Sequence, residues 1–194
     1  MQTRIGREFF QRDPVVCARE LLGCELSWDG CGGRIFETEA YSVVGDEACH
    51  TFARPSSREF VERSEPGTVY VYLNYGMYWL LNFLVKGGAE DGFVLVRALE
   101  PTLGIERMKA RRGGVAPHKL CAGPGRLGMA LGLGKKAHGV DGCSGGIVEL
   151  REPAGPVEIE CGPRIGISRS IELPWRFVVA GSPCLSAPMS VRRA

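Results

Sequence analysis

The residues best suited to chemistry lie on a short predicted strand near the start of the chain. Glu37, Glu39 and Tyr41 alternate along residues 34–39 and their continuation, and side chains two positions apart project from the same face of a strand. A buried carboxylate without a partner is costly, so this pair is solvated, ion-paired or catalytic. Catalytic carboxylates act as general acids or general bases.

Two further candidates follow in the sequence. His50 comes nine residues after Tyr41, and it gains a chemical role only if the fold returns it beside Glu39 and Tyr41. Otherwise it is an ordinary surface or core histidine. Arg97 ends the apolar run of residues 93–97. An arginine at the end of a buried strand needs a carboxylate or a phosphate as its partner.

Two apolar, aromatic-rich runs flank residues 74–76. Residues 69–73 have the composition of a strand, and Gly76 can adopt a positive φ, so the pattern predicts a tight hairpin. Tyr75 is unusual there, because hairpin tips favour small polar residues. A bulky wedge on a rigid hairpin suits insertion between stacked bases. The alternative is a buried hairpin whose aromatic side chains belong to the core.

Composition points to an ordinary globular protein. The chain has 194 residues, of which 44% are hydrophobic and 24% charged, and its net charge is +2. This length suits a single domain over residues 1–194. The mild positive charge permits an anionic partner without requiring one. The N-terminus lacks a signal-peptide pattern and no apolar run is long enough to span a membrane, so we expect an intracellular protein with no membrane partner.

Eight cysteines are scattered without any C-x-x-C pair. A disulfide framework is typical of short secreted chains, and structural zinc sites have tighter ligand spacing. Cys49 and His50 are adjacent in the sequence, and adjacent residues rarely bind the same metal ion. We therefore interpret most cysteines as small buried hydrophobic residues and expect neither a metal nor a cofactor.

The remaining pattern predicts short helices around an antiparallel sheet. Asp13 and Pro14 are suited to the N-cap and first residue of a helix that ends near Leu22. Residues 51–66 are polar and interrupted by prolines, so we expect a surface connection that includes a helical turn. Pro101 is expected to open a helix that ends near Arg112. We predict one α+β domain, mainly antiparallel, with short surrounding helices and a protruding β-hairpin.

At this point the chain resembles a known family, the alkyladenine (3-methylpurine) DNA glycosylases. The resemblance runs from about Leu21 to Pro183. Its most specific motifs are Glu37-Thr38-Glu39-Ala40-Tyr41, Asp46-Glu47-Ala48-Cys49-His50, Pro66-Gly67-Thr68-Val69-Tyr70-Val71-Tyr72, Tyr75-Gly76-Met77-Tyr78, Arg97-Ala98-Leu99-Glu100-Pro101 and Gly123-Pro124-Gly125-Arg126-Leu127. It implies a monomeric, monofunctional enzyme of base excision repair. Such an enzyme extrudes alkylated or deaminated purines from double-stranded DNA and hydrolyses their N-glycosidic bond without a cofactor.

The resemblance also implies roles for individual residues. Glu39 corresponds to the general base that activates the attacking water. Arg97 and the backbone carbonyl of Ile165 correspond to groups that hold this water.

The same resemblance assigns the base-binding and DNA-binding positions. Tyr41, His50 and Tyr72 correspond to the walls between which the extruded base stacks. Asn82 corresponds to the residue that crowds the 2-amino group of guanine and so protects normal DNA. In the hairpin, the wedge is Tyr75, and its neighbours in the minor groove are Met77 and Tyr78.

The chain departs from the family pattern at residues 51–65, where the usual Gly-rich stretch is replaced by scattered arginines and three glutamates. Contacts between this segment and the DNA backbone are therefore open. Two alternative functions remain. A module that binds distorted DNA without cutting it would have no use for a buried Glu39 and Arg97. A hydrolase of free nucleosides would have no use for Tyr75.

Overall fold

The computed structural model describes residues 2–189, which form an antiparallel sheet of eight strands with short helices around it. The basic tail, residues 190–194, lies outside the described residues. The strands are β1 (Glu25–Trp28), β2 (Cys31–Ser42), β3 (Val69–Asn74), β4 (Tyr78–Val85), β5 (Gly92–Leu103), β6 (Val148–Arg151), β7 (Ile159–Gly162) and β8 (Arg176–Val179). Strands β3, β4, β5, β2, β1 and β6 are neighbours in that order, and β8 pairs with both β2 and β7. The predicted α+β class is confirmed.

Short helices connect and cover these strands. Within the described residues they are α1 (Pro14–Glu20), α2 (His50–Ala53), α3 (Pro55–Arg63), α4 (Ile105–Arg112), α5 (Pro117–Leu120) and α6 (Pro124–Leu131), with 3-10 turns at Arg7–Phe10 and Lys135–Ala137. The start of α1 is the predicted one, because the Asp13 carboxylate accepts a hydrogen bond from the Val15 amide at 2.8 Å and Pro14 is the first helical residue.

The prediction for residues 51–66 is wrong. This segment contains most of α2 and all of α3 rather than an irregular connection. Pro55 occupies the first turn of α3, and Ser57 and Val61, one turn apart, are buried against the sheet. Tertiary packing of this narrow face, rather than the weak helix propensity of its serines, stabilises the helix.

The predicted helix start at Pro101 is also wrong. Residues 101–103 remain in β5, where Pro101 lies opposite Gly33 of β2. The strands approach so closely that a Cβ on Gly33 would lie 1.9 Å from the Glu100 carbonyl oxygen. The helix α4 begins only after Gly104, whose φ is +69°. Long-range strand pairing therefore overrides the local helix signal.

The two faces of the sheet carry different residues. Between one face and helices α1 and α6 lies the main core, which includes Ala40 of β2, Phe83 of β4 and Val96 of β5. Because side chains alternate along a strand, Glu39 and Arg97 project from the opposite face. That face also holds a second, smaller apolar cluster formed by Cys49, Val61, Tyr70, Leu84 and Phe93.

Irregular pairing between β2 and β5 positions the charged residues. Ile35 lies opposite Leu99 and Glu37 opposite Ala98, so that Phe36 has no partner; Thr38 then lies opposite Val96. Bulges of this kind redirect the side chains around them. Here they turn Glu37 toward the same face as Glu39 even though Ile35 belongs to the main core.

The β3–β4 hairpin forms as predicted. The Met77 amide donates to the Asn74 carbonyl at 3.1 Å, and the two central residues, Tyr75 and Gly76, have φ values of +51° and +69°. Positive φ at both central positions is the pattern of a type I′ turn, which matches the twist of a hairpin. A tyrosine in this left-handed conformation costs roughly 1–2 kcal/mol.

Candidate active site

A cavity of about 420 Å³ opens on the sheet face opposite the main core. The predicted site residues in its lining are Tyr41, His50, Tyr72, Tyr75, Asn82, Arg97 and Ile165. They come from strands β2, β3, β4 and β5, from α2, from the hairpin turn and from the segment between β7 and β8. The fold thus brings most of the sequence-predicted residues into one place.

Glu39 lies directly behind the cavity wall and is fully buried. Its Oε1 accepts a hydrogen bond from the Ile165 amide at 2.7 Å. Its Oε2 accepts from the Tyr41 hydroxyl at 2.7 Å and from Arg97 Nη1 at 3.0 Å. Ile165 therefore contacts the carboxylate through its amide nitrogen, and the predicted role of its carbonyl stays a prediction.

The environment of Glu39 favours a proton-accepting role. Burial raises the pKa of Glu39 above its ordinary value, although Arg97 and the Ile165 amide partly oppose the effect. Burial and the neighbouring Glu39 also raise the pKa of Tyr41, so its hydroxyl keeps the proton that it donates. A buried carboxylate with a raised pKa beside a cavity is typical of a general acid or base.

Glu37 is equally buried but differently held. Its Oε1 accepts from Arg97 Nε and Arg176 Nε, both at 2.8 Å, and from the Ser186 hydroxyl at 2.6 Å; its Oε2 accepts from the Ser186 amide at 2.7 Å. Burial would raise the pKa of Glu37, but Arg97, Ser186 and Arg176 together lower it. Glu37 is therefore an anion.

Sequence reasoning missed Arg176 and Ser186. Arg176 begins the apolar strand β8, so the argument used for Arg97 could have indicated a buried carboxylate partner for it as well. Ser186 contacts Glu37 from 149 residues away, and no pattern in its own segment indicates that contact.

The aromatic wall is held by a chain of hydroxyl contacts. The His50 Nδ1 lies 3.0 Å from the Tyr70 hydroxyl, which in turn lies 2.8 Å from the Ser57 hydroxyl. The His50 ring packs edge-on against Tyr72, with 4.2 Å between centroids. Burial, aided by the charge of Arg54, lowers the pKa of His50 to about 4. Near neutral pH this wall is therefore an uncharged imidazole.

Asn82 forms part of the cavity floor and is 4% exposed. Its Nδ2 donates to the Tyr70 carbonyl at 3.1 Å and to the Leu80 carbonyl at 3.3 Å. Both donors of the amide are thus occupied, which fixes the orientation of the side chain.

The hairpin side chains are not equivalent. Tyr75 is 83% exposed and Met77 65% exposed, so both extend into solvent, and Tyr75 also borders the cavity. Tyr78 is half-buried and packs against Gly125 at the start of α6, where a Cβ would lie 2.9 Å from the Tyr78 ring. Tyr78 therefore anchors the hairpin against α6 and is only partly accessible at the hairpin surface.

Charged residues at the rim of the cavity were not predicted. Arg54 lies 5.8 Å from the centre of the Tyr72 ring. Arg169 pairs with Glu47 at 2.7 Å and lies over the Phe52 ring. These side chains are exposed, so their net contribution to stability is small. Glu47 neutralises Arg169, whereas Arg54 places positive charge at the entrance.

Most of the cysteines are buried, as predicted. All eight are free thiols, and seven of them are buried. Across residues 2–189 no cluster of three or more His, Cys, Asp or Glu side chains is arranged to hold a metal ion. Over the same residues, no helix combines the length and the apolar character needed to cross a bilayer.

Comparison with known proteins agrees with the resemblance. Residues 8–183 match the family model described as Methylpurine-DNA glycosylase (MPG). A relative from Rhizobium etli is 48% identical over 186 residues, which cover 94% of this chain and 88% of the relative. Relatives from Chlorobaculum tepidum and Nitrosospira multiformis are 44% and 42% identical and cover 94% and 92% of this chain, and 90% and 92% of their own lengths. All three are named "Putative 3-methyladenine DNA glycosylase". The chain therefore belongs to the methylpurine-DNA glycosylase family.

Proposed function

We propose that this protein is a monofunctional DNA glycosylase that removes alkylated or deaminated purines from double-stranded DNA in base excision repair. The observation that carries the proposal is the fully buried Glu39 carboxylate, held by three donors behind an aromatic cavity. Three residues that line the cavity, Tyr41, Arg97 and Ile165, contact this carboxylate, and its raised pKa suits proton transfer. All parts of this site come from one chain, so we propose a monomer as the active unit.

The hairpin supports base extrusion. A base inside a duplex cannot reach a buried carboxylate, so an enzyme must extrude it and fill the gap. Tyr75 is held in a strained left-handed conformation and is 83% exposed. Strain at an exposed bulky residue indicates a functional role. We propose that Tyr75 fills the gap in the stack while Met77 and Tyr78 contact the minor groove.

The cavity suits a damaged purine. The flat faces of Tyr41, Tyr72 and neutral His50 offer stacking worth about 1–3 kcal/mol per base. A cationic alkylated purine gains additional cation–π attraction from the tyrosine rings. It is also a good leaving group, because its positive charge is neutralised when the glycosidic bond breaks. A neutral deaminated purine lacks this advantage and depends more on the enzyme.

Hydrolysis requires a water beside Glu39. An ionised carboxylate has about four acceptor positions, and three are used by Tyr41, Arg97 and Ile165. Because Oε1 accepts only from the Ile165 amide, it keeps a free acceptor position for a water. Glu39 would take the proton of this water and stabilise the positive charge that develops on the sugar.

The proposed enzyme acts without a covalent intermediate. A glycosylase that also cleaves the strand forms a Schiff base through an amine. No lysine occurs in the cavity lining of the described residues. We therefore expect free base and an intact abasic strand as the products.

The test is single-turnover release of base from duplexes that carry one 3-methyladenine or one hypoxanthine. Wild-type protein is compared with Glu39→Gln, which keeps the shape of the side chain but removes its basicity. Glu47→Gln is a matched control, because it makes the same Glu-to-Gln change at a carboxylate that lines the cavity and whose side chain is 52% exposed. We expect base release by the wild type and the Glu47 variant, and binding without release by the Glu39 variant.

The same experiment separates the alternatives. Tight binding of the lesion duplex without release by any protein would favour a DNA-binding module. Release from free nucleosides at a rate that Tyr75→Ala does not change would favour a nucleoside hydrolase. Unchanged release by Glu39→Gln would remove Glu39 from the mechanism.

A further inference from the structure

Glu37 is a buried ion for which hydrolysis by Glu39 gives no direct role. Its carboxylate accepts four hydrogen bonds, all of them from Arg97, Arg176 and Ser186. Ion clusters of this kind are poor sources of stability, because well-packed apolar side chains of similar volume often serve as well. An explanation is therefore needed beyond folding.

The geometry of Arg97 provides an explanation for the buried Glu37. Arg97 contacts three groups with three different nitrogens: Nε with Glu37 at 2.8 Å, Nη1 with Glu39 at 3.0 Å and Nη2 with the Ser186 hydroxyl at 3.2 Å. A free guanidinium prefers to bind a carboxylate through two parallel hydrogen bonds. A two-point contact of that kind with Glu39 would engage Oε1 as well as Oε2, and Oε1 would lose its remaining acceptor position.

We propose that Glu37 is a positioning residue that holds Arg97 in a one-point contact with Glu39, so that Oε1 remains free to accept the attacking water. This inference rests on the proposed function and adds a residue to it. The Ser186 hydroxyl assists by accepting a hydrogen bond from the third nitrogen, Arg97 Nη2. Ser186 also anchors the segment after β8 to Glu37.

Glu37 also affects the charge state of Glu39. The groups that face Glu39 from the surrounding elements are Arg97, Tyr41, Glu37, Tyr72 and Arg164. Burial raises the pKa of Glu39; Arg97 and the Tyr41 hydroxyl lower it, and the charge of Glu37 raises it. Replacement of Glu37 by a neutral residue removes the repulsion and leaves Glu39 as the single carboxylate partner of Arg97. The pKa of Glu39 then falls, and base release persists to lower pH.

The experiment measures single-turnover release of 7-methylguanine from duplex DNA as a function of pH. This leaving group is cationic, so the acid limb of the profile reports on the water-activating base. For Glu37→Gln we expect the maximal rate to fall by on the order of 100-fold, because Arg97 is misplaced. We expect the acid limb to move to lower pH. Lesion-duplex affinity should stay at the wild-type value.

Ser186→Ala is the comparison variant, because it removes a hydroxyl from the cluster but keeps both carboxylates charged. Its acid limb should coincide with that of the wild type. If Glu37→Gln fails to fold, Glu37→Asp is used. Glu37→Asp keeps the negative charge, but its side chain is one methylene shorter, so the charge lies farther from Arg97. We expect a lower maximal rate and a smaller shift of the acid limb, also to lower pH.

The inference is overturned if a folded Glu37 variant has the wild-type maximal rate, or if its rate falls while its acid limb stays fixed. Failure of the proposed function is distinguishable from either result, because the wild-type protein itself would then release no base.

Discussion

Arg164 and Asp46 form an ion pair in which both side chains are completely buried. The two Nη atoms reach the two carboxylate oxygens at 2.5 and 2.8 Å. The guanidinium lies 4.6 Å from the centre of the Tyr41 ring, and the next residue, Ile165, donates its amide to Glu39. The ion pair thus lies beside the aromatic wall at Tyr41 and next to the residue that binds the Glu39 carboxylate. It joins two segments that are 118 residues apart in the sequence.

The first prediction concerns this pair. Asp46→Asn removes the negative charge and leaves the buried Arg164 without compensation. Loss of one partner of a buried ion pair typically costs about 3–5 kcal/mol. We expect the free energy of unfolding to fall by about that amount and the melting temperature by roughly 2–4 °C for each kcal/mol. Denaturant titration and thermal melting followed by circular dichroism measure the two quantities.

The neighbouring pair provides the control. Glu47 contacts Arg169 at 2.7 Å, but the two side chains are 52% and 57% exposed. Exposed pairs contribute about 0–1 kcal/mol. Glu47→Gln should therefore leave the melting temperature almost unchanged. Equal losses of stability in the Asp46 and Glu47 variants would contradict the special role of the buried pair.

The second prediction is that one substitution at the hairpin tip raises stability and lowers activity. Tyr75 occupies the first central position of the turn with a φ of +51°. Tyr75→Asn creates the Asn-Gly sequence that type I′ turns prefer, so we expect the protein to become more stable by about 1 kcal/mol. The variant loses the wedge, and its affinity for lesion duplex and its rate of base release should both fall.

Thermal melting and single-turnover assays on the same Tyr75→Asn sample provide both values. A matched comparison is Met77→Ala, which also removes an exposed hairpin side chain, 65% exposed, but leaves the strained residue in place. A destabilised Tyr75→Asn protein with full activity would refute both parts of the prediction.

Local sequence patterns were sufficient for some of the site. Alternation along a strand predicted that Glu37, Glu39 and Tyr41 share a face, and a turn glycine after two aromatic runs predicted the hairpin. These features depend on neighbours in the chain. The continuation of β5 through Pro101 was missed, because pairing with Gly33 decides it and not local propensity.

The ion clusters show where sequence reasoning ends. Contacts of Glu37 with Arg97 and Ser186 join residues 60 and 149 positions apart. Their formation depends on unpaired strand positions that turn Glu37 and Arg97 toward each other. Periodicity identifies the face of a regular strand, but a bulge changes that face by one residue. The contact of Ser186 with Glu37 is therefore seen only in the structure, whereas the position of Arg176 at the start of an apolar strand is a signal in the sequence.

The third prediction follows from the charge state of His50. Its pKa is lowered to about 4 from an ordinary value of 6.5. Between these values the unfolded chain binds more protons than the folded protein, so the free energy of unfolding rises with pH and falls as the pH drops from 6.5 to 4. We expect the wild type to lose more stability than His50→Asn over this range.

Titration of His50 by NMR on histidine-labelled protein checks the cause directly. The imidazole should remain neutral at pH 5 and accept the hydrogen bond of the Tyr70 hydroxyl, 3.0 Å away. A midpoint near 6.5 would show that burial does not control this side chain. Equal pH dependence of stability in the wild type and His50→Asn would lead to the same conclusion.

The fourth prediction concerns discrimination against normal guanine. Asn82 is held in the cavity floor by hydrogen bonds to the Tyr70 and Leu80 carbonyls, so it cannot turn away from a base that carries an additional amino group. Asn82→Ser removes this bulk. We expect release of unmodified guanine from ordinary duplex DNA to become measurable, whereas release of hypoxanthine, which lacks the 2-amino group, changes little.

The two substrates distinguish steric selection from general damage to the site. Loss of the Asn82 amide leaves two buried carbonyls with fewer partners, at a cost of about 1–3 kcal/mol for each group left unsatisfied, so thermal melting must first establish that the variant is folded. A decrease in hypoxanthine release with no gain in guanine release would mean that Asn82 supports the cavity without selecting its occupant. A rise for guanine alone would mean that the floor of the cavity excludes the normal base by contact with its 2-amino group.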